Sequence, residues 1–217
     1  KADCIAAFAT FDGEGNRLSL TYPGGRILQS TFGRDNRLTA VGTIPFVGGA
    51  LSSVATFSYD GLDRLSRIAR GNGVNTRINW NGFQSPANSA GDFGWQQVVC
   101  VNHAKTGGNG VIDQRVFTYD RSQNKTQRAQ TTGFSQGAPT TTNLFAYDAM
   151  HRLTRSSRVR GATLEEDRQY IIDAMGNRTN VIGLGLVEVY DMSPVLPEPA
   201  DFQLNQYTLT PFGSQQQ

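Results

Sequence analysis

Apolar residues recur at alternate positions in short runs, each closed by an acidic residue and followed by an arginine, a leucine and a hydroxyl side chain. Phe57 and Tyr59 lead to Asp60 and then Arg64-Leu65-Ser66; Phe145 and Tyr147 lead to Asp148 and then Arg152-Leu153-Thr154. Phe117, Tyr119 and Asp120 repeat the first half, as do Tyr170 and Asp173, which run into Gly176-Asn177-Arg178-Thr179. Phe11-Asp12 with Arg17-Leu18-Ser19 is a further copy, and Phe32-Gly33 with Arg37-Leu38-Thr39 a worn one. Period-two alternation puts the paired aromatics on one face of a strand. The Asp suits a turn, because its carboxylate accepts a hydrogen bond from the backbone N–H two residues on. Gly13, Gly61, Gly15 and Gly176 supply positions that tolerate positive φ. The predicted unit is a β-hairpin, and its recurrence predicts an array.

A single hairpin is unstable in water, so successive hairpins are expected to pair edge to edge. An exposed Asp–Arg pair across a turn contributes about 0–1 kcal/mol. Inward aromatics matter more, at roughly 1.5–3 kcal/mol for each buried ring. Truncating one, as in Tyr147→Ala, is expected to cost roughly 3–5 kcal/mol.

Residues 8–70 hold four closely spaced units. Thr76 to Trp80 alternates and meets Asn81-Gly82, a strong hairpin-turn dipeptide. Residues 85–110 break the rhythm and read as an insertion or a long decorated hairpin, with a strand around Trp95 to Val101. The repeats resume at Val111, so residues 1–182 are expected to form the β-array. Residues 183–217, with Pro194, Pro197, Pro199 and Pro211, read as an extended connection toward a further repeat.

Composition agrees with an all-β chain: 24 glycines among many Ser, Thr, Asn and Gln favour short strands and turns over helices. No apolar run approaches the roughly 18 residues that a membrane-spanning helix needs. Arginines outnumber lysines 17 to three in a chain of net charge +2, but many occupy the repeat position. The nearest basic cluster, Arg152 to Arg160, is soon followed by Glu165, Glu166 and Asp167, so no nucleic-acid partner is expected. Cys4 and Cys100 are the only cysteines; they form a disulfide or remain buried thiols.

Other chemistry has little support. Cys100 and His103 lack the companions a zinc site requires. His151 fills a turn slot. Asp12, Asp60, Asp120, Asp148 and Asp173 offer one carboxylate per turn, where calcium takes six to eight oxygens; turn capping accounts for all of them. No catalytic, cofactor-binding or metal-binding residue is assigned.

The motif resembles the YD-repeat, or Rhs-repeat, family, whose signature is Tyr-Asp, two residues, then Gly-Arg-Leu or Gly-Asn-Arg-Leu. Arg64 and Arg152 stand four after their Asp, Arg17 and Arg178 five after, and Lys125 takes the arginine place in the copy at Asp120. The resemblance covers about residues 8–182 and implies an array of hairpins forming a curved strip or part of a spiral shell. It further implies a fragment of a large secreted or cell-surface protein, a wall that encapsulates a toxin or similar cargo without catalysis of its own. A surface-adhesion or carbohydrate- or receptor-binding scaffold is the alternative. Expected partners are the rest of the parent chain, a cell-surface glycan or receptor, and other copies meeting at sheet edges.

Overall fold

A computed structural model describes residues 7–61, 63–81, 96–106, 110–133, 139–190 and Pro211. Among them are fifteen strands and no helix, in one antiparallel sheet whose spatial order follows chain order. The hairpin prediction therefore holds at the level of fold class: the chain is an all-β hairpin array.

Two compact units divide the chain. The first comprises residues 1–88, 96–115 and 132–136, and the second residues 89–95, 116–131 and 137–217. In the first lie β1 (Phe8–Phe11), β2 (Arg17–Thr21), β3 (Ile27–Phe32), β4 (Leu38–Ile44), β5 (Ser52–Asp60), β6 (Arg64–Arg70), β7 (Val74–Trp80) and β8 (Val98–Lys105). The unit boundaries fall inside β9 (Val111–Tyr119) and β10 (Lys125–Thr132). The second unit continues with β11 (Thr141–Tyr147), β12 (Leu153–Arg160), β13 (Thr163–Ile172), β14 (Arg178–Ile182) and β15 (Val187–Val189).

The strand expected inside the 85–110 stretch is β8. It pairs with β7 from Val74↔Lys105 to Trp80↔Val98, and the Asn81 N–H bonds the Gln97 carbonyl. β7 and β8 are therefore joined by a long connection and not by a two-residue Asn81-Gly82 turn; Gly82 lies outside the described residues. β15 falls within the stretch read as an extended connection, and pairs with β14 through Asn180↔Val189 and Ile182↔Val187.

Register assigns the faces. In the first unit Phe57, Ile68, Thr76 and His103 form one row across four strands, and Val41, Ala55 and Arg70 another. The opposite face carries Thr56, Ala69 and Asn75. Aromatic and aliphatic side chains thus share a face, as period-two alternation requires. Little of that face is sealed, however. Among the described residues the buried apolar side chains are Ala55, Val99, Cys100 and Val181, while Phe57, Tyr59, Phe117, Tyr119, Phe145, Tyr147 and Tyr170 are half-buried. Phe11 stands out, 61% exposed.

Candidate functional site at the repeat turns

The motif residues converge on one backbone turn, made six times among the described residues. It starts at Asp12, Tyr22, Gly33, Asp120, Asp148 and Asp173. The first residue's N–H bonds the carbonyl four residues on, at 2.8–3.0 Å for the pairs Asp12–Asn16, Tyr22–Arg26, Gly33–Arg37, Asp120–Asn124, Asp148–Arg152 and Asp173–Asn177. The first residue's carbonyl accepts from the N–H three residues on. That fourth residue always has positive φ: Gly15, Gly25, Asn36, Gln123, His151 and Gly176. This is a type I turn followed by a left-handed residue, the common three-residue hairpin loop with a bulge. The register confirms the bulge: Phe11, Phe32, Tyr147 and Ile172 each face the residue six places later, and pairing slips by one just before them. Gly13 is not among the positive-φ residues; in that turn Gly15 takes the role.

The Asp side chain closes the loop from inside. One oxygen accepts the N–H two residues on, from Glu14 (3.1 Å), Ser122 (2.9 Å) or Met150 (2.9 Å), as anticipated. The same oxygen also accepts the N–H four residues on, from Asn16 (2.8 Å), Asn124 (2.9 Å), Arg152 (2.9 Å) or Asn177 (2.8 Å). The second oxygen takes that residue's side chain: Asn16, Asn124 and Asn177 through Nδ2, and Arg152 through Nε at 2.7 Å. These bonds favour the ionised carboxylate. The Asn16 and Asn124 side chains hold Asp12 and Asp120 below the ordinary carboxylate range, and the backbone N–H of Arg152 and of Asn177 does the same for Asp148 and Asp173.

Side chains also tie several turns to their neighbours. The Tyr59 hydroxyl donates to the Leu38 carbonyl (2.9 Å), and the Tyr147 hydroxyl to the Lys125 carbonyl (3.0 Å), both in the preceding hairpin. The fifth turn residue reaches forward. Arg37 Nη1 donates to the Gly61 carbonyl (2.7 Å) and Arg152 Nη1 to the Asp173 carbonyl (2.8 Å). Asn16 Nδ2 donates to Asn36, and Asn124 Nδ2 to His151 Nδ1 (3.1 Å). The Tyr thus anchors backward, the Asp closes its own turn, and the Arg or Asn four residues later anchors forward.

The two arginine spacings differ at the turn, although Arg37, four after Gly33, also lies over a ring. Four residues after the turn start, Arg152 caps Asp148; five after, the basic residue lies on the strand and packs over aromatic rings. Arg178 sits 5.1 Å from the Tyr170 ring centroid, and Lys125 4.5 Å from that of Phe117. Arg17 pairs opposite Phe11. Arg37 bonds Asp35 and lies 4.8 Å over Tyr59. The sequence reading lacks the forward-reaching role of Asn16 and Asn124, although the recurrence of Asn four residues after an Asp is the available signal. Asp60 departs from the pattern. It pairs with Arg64 at the same register offset, but positive φ falls on Gly61, directly after the Asp.

The remaining candidates are local. Cys100 is a free, buried thiol, pushed up by burial and lying 3.8 Å from Gln114 Nε2; Cys4 lies outside the described residues. His103 Nδ1 meets the buried Thr76 hydroxyl (2.9 Å), which also accepts from Arg70 (2.7 Å). Among the described residues no group of three His, Cys, Asp or Glu side chains is placed to hold a metal.

No protein-family model matches the chain, and no curated protein does. Solved structures do. Against the crystal structure of TcdB2-TccC3-Cdc42 the TM-score is 0.65 at 16% identity, covering 89% of this chain and 10% of that one. The crystal structure of TcdB2-TccC3 gives 0.64 at 15%, covering 88% and 10%. The fold is one found in Tc toxin chains. The Photorhabdus luminescens Tc holotoxin pore agrees, with a TM-score of 0.62 at 15% identity over 86% of this chain and 10% of that one. The chain therefore spans about a tenth of the length of each of these three chains.

Proposed function

We propose that this chain is a wall segment of a large secreted or cell-surface protein whose β-repeats enclose a toxin or similar cargo, and that it performs no catalysis itself. One observation carries the reading. Within each unit several turns are locked to a neighbouring hairpin by side chains, while few apolar side chains are sealed among the described residues. Such a sheet gains its stability along its length, hairpin against hairpin, which suits a thin wall better than a globule built round a core. The Tc toxin fold and the Tyr-Asp repeat support the same reading. The nearest partners are further hairpins of the parent chain.

A glycan- or receptor-binding scaffold would be favoured by a free aromatic platform. Trp80 is half-buried with its indole N–H bonded to the Leu65 carbonyl (3.1 Å), and Trp95 lies outside the described residues. The deciding experiment is electron microscopy of the parent protein. A closed hollow particle is the expected result; a solid rod or fibre would transfer the role to a surface stalk.

A further inference from the structure

Beyond the wall reading, one face of the second unit carries two arginines with no carboxylate partner among the described residues. Residues paired across antiparallel strands project to the same side. Arg128, Asn143, Arg158 and Glu166 therefore form a row across β10, β11, β12 and β13. Alternation puts Phe145 and Tyr147 on this face of β11, and Tyr170 on this face of β13.

The carboxylate in the row is engaged: Arg168 Nε bonds Glu166 at 2.7 Å. Arg128 reaches only Gln130 Oε1, at 3.4 Å, and its buried Nε has no acceptor. Arg158 is exposed and its side chain has no hydrogen bond or ion pair among the described residues. On the opposite face of β12 and β13, by contrast, Arg155 makes a two-bond pair with Asp167 at 2.8 and 2.7 Å. Among the described residues Arg155 is matched on that side, whereas Arg128 and Arg158 face no carboxylate partner on this one.

We propose that the Arg128–Asn143–Arg158 row is a docking surface for an acidic polypeptide segment in extended form. Guanidinium groups match carboxylates with two parallel bonds. The two arginines are rooted two strands apart, roughly 10 Å, while same-side residues of an extended chain recur about every 7 Å, within reach of such flexible side chains. Asn143, between them, has the donor and acceptor that a peptide backbone needs. Single-stranded nucleic acid fits less well, because it needs open ring faces for stacking. Here Lys125 covers Phe117 and Arg178 covers Tyr170, while the Tyr147 hydroxyl is bonded. The proposal requires an accessible face and not a closed shell, so its failure leaves the wall reading standing.

The test is fluorescence anisotropy of the full chain with a labelled peptide alternating Glu and Thr, beside its Gln-for-Glu counterpart and a single-stranded DNA. The Glu peptide should bind tighter than the Gln peptide, and Arg158→Gln should weaken it about tenfold, as expected for one charge-assisted pair. Arg128→Gln/Arg158→Gln should remove binding. Arg34→Gln/Arg67→Gln, which takes the same charge from exposed positions in the first unit, should change affinity by no more than about twofold. Because Arg158 is exposed and unbonded, the single variant reads binding even if the double variant misfolds. Equal loss in the Arg34/Arg67 control, or equal binding of the Gln peptide, overturns the proposal. So does tighter DNA binding that Arg158→Gln abolishes, which would reassign the row to nucleic acid.

Discussion

At the scale of single residues, Tyr147 and Asp148 divide the work of the motif. Tyr147 is half-buried, so Tyr147→Ala should cost about 1.5–3 kcal/mol, below the value expected for a sealed ring. Tyr147→Phe keeps the ring and removes only the bond to the Lys125 carbonyl, and should cost about 0.5–1.5 kcal/mol. Urea denaturation of both variants separates the two contributions; equal costs would mean that the hydroxyl supplies nearly everything. The Asp caps give a pH dependence. Their carboxylates titrate below the ordinary range, so their stabilisation is complete above the unfolded value of about 3.9 and fades as pH falls through the folded value. The thermal midpoint should stay level from neutral pH to about 4 and then drop, with a shallower drop in Asp148→Asn. Identical acid limbs would show that this cap does not contribute.

At the scale of the hairpin, the fourth residue of each turn sets the geometry. Gly176 has φ 95° and open space around the position of a Cβ, so Gly176→Ala meets a backbone penalty alone, about 1–2 kcal/mol. Gly13 also has open space but lacks positive φ, and Gly13→Ala should be near neutral. Matched denaturation midpoints for the two variants would refute the assignment of turn type. Much of this element was legible in the sequence, because strand alternation and the Asp turn signal are local and the chain pairs each strand with its chain neighbours. The forward links were not, since Arg152 to the Asp173 carbonyl and Asn124 to His151 depend on how hairpins register against each other. The Asn81-Gly82 dipeptide does not join β7 to the strand it pairs with, because a turn dipeptide carries no information about which strand its neighbour pairs with.

At the scale of the whole molecule, the scarcity of sealed apolar side chains among the described residues makes a calorimetric prediction. Unfolding should raise the heat capacity by less than the usual 12–15 cal/mol/K per residue (a typical figure, roughly). Scanning calorimetry at several pH values would measure it, and a value at or above that range would mean a second layer covers the aromatic face. The links between turns also carry a direction. Tyr59 and Tyr147 each need a carbonyl from a hairpin made earlier in the chain, and Arg37 and Arg152 wait for a turn made later. A chain emerging from the ribosome, or threading through a secretion pore, amino end first can therefore set one hairpin at a time, every new one finding its template already in place. Emergence from the other end would present Tyr59 and Tyr147 before their acceptors exist, so the order of synthesis is itself written into the spacing of these repeats.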